Sequence, residues 1–291
     1  MSKASTKTES VASRNASSIM TGVMATLAFA VMVIANALAN ALPLNGVTTG
    51  QLSDEIPNLF VPTGLTFAIW GLIYLLLAGY IVAVLKEAFR KNSAGQLWEA
   101  RDGWLFTANA LANAAWIVAW HWRLVPLSMM IMLVILASLI ALEERNFKRF
   151  NGKHTGIGSR GANPAAPLMR FFLTTPLNVY LGWICVATIA NATALLVTAG
   201  WNGFGIEPQV WTVIVIIAGL VVALGLALRR NAVAAPLVVV WAYLGIILKR
   251  TVVDPDQTRA VWIVATISAV LILGVLAGRL TGLLKGSNSR T

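Results

Sequence analysis

The sequence predicts an all-α fold, a polytopic transmembrane helix bundle of about eight spans. Of its 291 residues, 58% are hydrophobic and only 11% charged, and the mean hydropathy is +0.76. A soluble domain of this size carries charge on about a quarter of its residues. Apolar runs of bilayer length recur along the chain, and the charge collects between them.

A helix needs about 20 apolar residues to cross the hydrocarbon core. With that length as the ruler, the spans fall at residues 19–42, 65–85, 104–120, 124–142, 171–199, 209–228, 232–248 and 260–277. None contains Asp, Glu, Lys or Arg, and the third and seventh are the shortest. The first span has a rival reading as a cleaved signal peptide, because residues 35–37, 37–39 and 39–41 each fit a small-x-small site. The long polar leader and the length of the apolar run favour a retained span. Residues 1–18 read as a disordered cytoplasmic tail, 19–199 as a five-helix membrane core, 200–280 as three additional helices and 281–291 as a second tail. Gly and Pro mark residues 152–167 as a flexible loop.

The net charge is +11, and 18 of the 22 Lys and Arg residues lie in segments 1–18, 86–103, 143–170, 229–231 and 278–291. The positive-inside rule therefore places both termini in the cytoplasm of a multi-pass cell-membrane protein. Arg123, Lys249, Arg250 and Arg259 fall on the other side, the last three balanced in part by Asp254 and Asp256. No basic run is interleaved with aromatics, so a nucleic-acid partner is not expected and the bilayer is. Cys185 is the only cysteine, so no disulfide forms within the chain. His121 and His154 have no neighbour at metal-ligand spacing, and no metal site is assigned.

Six tryptophans, Trp98, Trp104, Trp122, Trp201, Trp211 and Trp262, lie near span ends and read as interfacial anchors. Trp70, Trp116, Trp120, Trp183 and Trp241 lie deeper. In the third span Asn109, Asn113, Trp116 and Trp120 share one helical face, and in the fifth Tyr180, Trp183, Ala187 and Asn191 do the same. Phe67, Trp70 and Tyr74 line one face of the second span, and Asn36 and Asn40 lie one turn apart in the first. Two readings stay open from spacing alone. The stripes are packing seams tied by amide hydrogen bonds, or they line a pocket of rings and amides for a flat, mostly apolar ligand. Such a pocket would open beneath the loop 43–61, which carries Asp54 and Glu55.

These residues also carry a resemblance. Pro62-Thr-Gly-Leu-Thr-Phe67-Ala-Ile-Trp70-Gly-Leu-Ile-Tyr74 resembles the entry to the second helix of the translocator protein, or tryptophan-rich sensory protein, family. Asn113-Ala-Ala-Trp116 is similar to that family's third-helix motif. Tyr180-Leu-Gly-Trp183-Ile-Cys-Val-Ala187-Thr188-Ile-Ala-Asn191 is similar to its fifth-helix motif. The resemblance covers about residues 19–199 and leaves the three spans after residue 208 as an extension. Met129, Met130 and Met132 stand where the family often has an acidic residue in its fourth helix. The resemblance implies a five-helix bundle whose cavity receives porphyrin-like or sterol-like ligands. The implied pocket residues are Trp70, Tyr74, Asn113, Trp116, Trp183, Ala187 and Asn191.

The leading reading is therefore a protein that senses or moves a hydrophobic ring compound, porphyrin-like or sterol-like, with a tetrapyrrole as one candidate ligand and no cofactor assigned. Trp116 and Trp183 would stack on it, and Asn113 and Asn191 would bond its polar edge. Homodimer formation is left open. A coupled transporter is the alternative, but coupling uses ionisable groups at membrane depth and the spans hold none. An enzyme acting on a bound pigment is the third reading, with Asp54, Glu55, His121, Tyr74, Tyr180 and Cys185 as the groups available for proton transfer.

Overall fold

A computed structural model describes residues 3–42, 44–90, 97–151, 165–230 and 232–288. Among them are nine α-helices and no strand: α1 (Lys3–Ala41), α2 (Thr49–Glu55), α3 (Ile69–Ala88), α4 (Ala100–His121), α5 (Val125–Asn151), α6 (Ala165–Thr198), α7 (Pro208–Arg230), α8 (Ala234–Val252) and α9 (Arg259–Asn288). Seven of these, all but α2 and α4, are long and apolar enough to cross a bilayer. The expected loop 152–167 lies outside the described residues up to position 164.

The eighth expected span exists as α4, whose 22 residues would extend about 33 Å at 1.5 Å per residue. It is too polar to count among the seven because Thr107, Asn109, Asn113 and His121 all lie within it, every one buried. Asn109, Asn113 and His121 bond to protein groups, and only the Thr107 hydroxyl has no partner among the described residues, so α4 does not need an apolar surface to the same degree. The first and last helices extend beyond the expected spans. Helix α1 begins at Lys3 and α9 runs to Asn288, so most of both terminal tails is helical. Residues 3–21 contain neither Gly nor Pro, so nothing there interrupts the helix that the apolar run propagates.

The chain forms two compact units, one of residues 1–46, 71–123 and 130–177, the other of residues 47–70, 124–129 and 178–291. In the first, α1 packs along α4. Ala25, Ala28, Met32, Asn36 and Ala39 are all buried, spaced by threes and fours as one helical face requires. The backbones approach closely where Gly103 meets Thr21, and a Cβ at Gly103 would collide with the threonine side chain. Asn36 Nδ2 then donates to Asn113 Oδ1 at 2.8 Å. Asn109 Nδ2 ties α4 to α5 through Ile135 O (2.9 Å) and Ser138 Oγ (3.0 Å). Asn146 continues the series by donating to Leu173 O of α6 at 2.8 Å.

Charge fixes one end of the same unit. Asp102 accepts from Arg145 Nε, from Arg149 Nη2 at 2.7 Å and from the Glu99 backbone N–H at 2.9 Å. Arg145 Nη2 also donates to Glu99 Oε2 at 2.5 Å. Trp98, expected as an interfacial anchor, is instead only 1% exposed. It packs edge-on against Tyr80, with ring centroids 6.1 Å apart.

In the second unit α8 is the hub. Gly182 of α6 lies so near it that a Cβ would stand 2.5 Å from Ala235 O, the close approach that small residues permit between membrane helices. Tyr243 Oη donates to Ile216 O of α7 at 2.6 Å, and Arg279 of α9 donates to Ala227 O of α7.

Candidate functional site

The entry to α3 is a short 3-10 turn, Gly64–Ala68, and α8 fixes its course. Thr63 N–H donates to Gly245 O at 3.2 Å, and Trp241 Nε1 donates to Thr66 O at 3.0 Å. Gly245 must be glycine for this approach, since a Cβ there would run into Thr66. The turn presents Phe67 and Trp70 to α6. Trp183 meets Phe67 at 5.7 Å between centroids and 85° between planes, and Trp70 at 6.2 Å and 84°. Trp70 also meets Tyr180 at 6.0 Å and 61°. Such edge-to-face contacts set the positive ring edge against a negative face.

Trp183 is 3% exposed, and its indole N–H has no acceptor among the described residues. Leaving a buried donor unpaired costs about 1–3 kcal/mol. Ala187, one turn further along α6, is half-buried. Asn191, two turns along, is held by Ser128, donating from Nδ2 at 3.0 Å. Thus Trp70, Trp183, Ala187 and Asn191 all belong to the second unit.

Tyr74, Asn113 and Trp116 belong to the first. Asn113 is the acceptor that ties α1 to α4, and Trp116 stacks on Trp120 at 5.7 Å and 16°. For Asn113 and Asn109 the packing-seam reading describes what the side chains do. His121 has a structural partner as well, its Nδ1–H donating to Leu44 O at 3.0 Å.

The loop 43–61 holds α2, capped by Thr48 and Gln51, and it bounds a feature that the sequence stripes do not indicate. A cleft of about 550 Å³ is lined by Ser53, Asp54, Asn58 and Val61 among other loop residues, by Glu207, Pro208 and Gln209 of α7 and its approach, and by Lys249 and Arg250 of α8. Asp54 pairs with Lys249 across 195 residues of sequence. Lys249 and Arg250, expected to lean on Asp254 and Asp256, therefore meet the first loop, Lys249 at Asp54 and Arg250 at Asn58 O. A smaller hollow of about 260 Å³ shares Pro57, Asn58, Leu59 and Pro208 with the cleft and adds Phe60, Trp201 and Trp211. Trp201 and Trp211, expected as anchors, lie with ring centroids 5.1 Å apart in its wall.

A family model described as TSPO-like protein matches residues 22–277. The match runs through α7 and α8 and most of α9, so these helices lie within the family's own span and are not an appendage outside it. No curated protein matches the chain, and no solved structure does.

Proposed function

Because the chain belongs to the TSPO-like protein family, we propose that this membrane protein of the TspO type binds a hydrophobic ring compound, porphyrin-like or sterol-like, and senses or moves it. The observation that carries the reading is Trp183, a buried indole set among rings with its N–H left over. A ligand that slides a flat apolar surface over Trp70 and Trp183 and turns an oxygen toward that N–H would satisfy the donor and gain ring contact together. Asn113 and Asn191 have protein partners, so in this proposal they hold helices and Trp183 supplies the polar contact.

Protoporphyrin IX added to the purified full chain in detergent is expected to quench tryptophan fluorescence along a saturable curve. Trp183→Ala is expected to weaken binding about tenfold or more, and Trp183→Phe, which keeps a ring but removes the donor, about three- to tenfold. Parent-like binding by Trp70→Ala and Trp183→Ala together would overturn the assignment.

A further inference from the structure

We propose that the cleft between the loop 53–61, the start of α7 and the end of α8 is a second binding site, which takes an amphipathic organic acid: a carboxylate on a ring-bearing apolar body.

Arg250 is the first reason. It is 6% exposed, and its Nη2 donates to the backbone carbonyl of Asn58 at 3.2 Å. Its Nε–H has no acceptor among the described residues. Asp54 lines the same cleft but is bonded to Lys249. A guanidinium taken out of water is tolerated when charge and hydrogen bonds replace the solvent; here the carboxylates of Asp54 and Asp254 act on the charge only through space, which leaves a direct ionic contact and one N–H to be supplied. An anionic oxygen is the group that supplies both.

Gln209 is the second. Its side-chain oxygen is buried and accepts from no donor among the described residues, and Gln209 lines the same cleft. One residue of the lining thus has a donor to spare and another an acceptor. A carboxylate with a hydroxyl or N–H beside it answers both. Asp54 and Glu207 also line the cleft, so a dianion such as phosphate would meet like charge.

The adjoining hollow gives the rest of the ligand. Trp211 spends its N–H on Gly203 O at 2.9 Å. Thr193 and Thr212 spend their hydroxyls on carbonyls of their own helices, each at 2.8 Å. What this hollow offers is ring and aliphatic surface from Phe60, Trp201 and Trp211. The shared wall of Pro57, Asn58, Leu59 and Pro208 places an acidic head and an apolar body side by side. None of the aromatic cluster around Trp183 lines either hollow, so this proposal stands or falls apart from the preceding one.

The test is equilibrium dialysis of three small probes against the purified full chain in phosphatidylcholine nanodiscs, with empty discs as the blank. 3-Phenyllactate carries carboxylate, hydroxyl and ring; 3-phenylpropionate lacks the hydroxyl; 3-phenyllactamide lacks the charge. The expected order is phenyllactate tightest, phenylpropionate about three- to tenfold weaker, and phenyllactamide weaker by about tenfold or more. Arg250→Gln is expected to lower phenyllactate affinity about tenfold while leaving the amide unchanged. Gln209→Leu should erase the advantage of phenyllactate over phenylpropionate. Trp183→Phe should leave all three probes as in the parent. Phosphatidylserine discs that displace the probe would assign the carboxylate to a lipid headgroup, and indifference to them would assign it to a free acid. Equal binding of acid and amide by the parent chain, which needs no variant, overturns the proposal. So does unchanged phenyllactate binding by Arg250→Gln.

Discussion

In the first unit Asp102 accepts from Arg145, from Arg149 and from a backbone N–H, and Arg149 Nη1 goes on to Asn146 Oδ1 at 3.0 Å. In the second, Arg250 is about as deeply buried as Asp102, but among the described residues its side chain donates to a backbone carbonyl and forms no salt bridge, with Asp254 acting only through space and the carboxylate of Asp54 taken by Lys249. Both regions bring basic and acidic side chains from distant parts of the chain together. They differ in what remains unused. A cluster whose donors and acceptors are matched fastens helices; one with a donor and an acceptor to spare, beside an apolar hollow, is built to be completed by something else.

Three substitutions test that difference. Asp102→Asn removes the shared counter-charge of two arginines and is expected to cost about 3–5 kcal/mol, read as a shift in unfolding of the purified protein titrated with sodium dodecyl sulfate. A loss below about 1 kcal/mol would make this network equivalent to a surface ion pair. Arg250→Met takes away a cation whose contacts are incomplete, so stability should stay within about 1 kcal/mol of the parent in either direction. A loss as large as that of Asp102→Asn would mean that the second cluster is as complete as the first. Asp54→Asn breaks a pair whose carboxylate is 48% exposed, and about 0.2–1 kcal/mol is the expected cost. A larger effect would show that α2 depends on this bridge for its position.

The apolar runs made the spans legible, because hydrocarbon imposes one length on every helix that crosses it. Helix α4 was legible in its limits but not in its surroundings. Its amides share a face, yet spacing could not say that Asn113 would reach α1 while Asn109 reached α5. The motif around Phe67, Trp70 and Trp183 was visible as two stripes, and the structure assembles those rings into one cluster. That the indole N–H of Trp183 would be left over depends on every neighbour at once, and no local pattern encodes it. The bond from Lys249 to Asp54 was hidden for a plainer reason, since charges 195 residues apart in sequence give no hint of which will meet. Trp98 misled because a tryptophan near a span end looks the same in sequence whether it faces headgroups or Tyr80.

The two bonds from α8 to the entry of α3 also bear on how the protein is made. Trp241 follows Thr66, its acceptor, by 175 residues. At about 5–20 residues per second, that separation corresponds to about 10–35 s of translation. During this interval α3 is already synthesised while the turn that aims Phe67 and Trp70 lacks its fastening. The aromatic cluster is therefore completed late in biogenesis, and a chain that stalls after its fifth long helix would carry the motif without the arrangement.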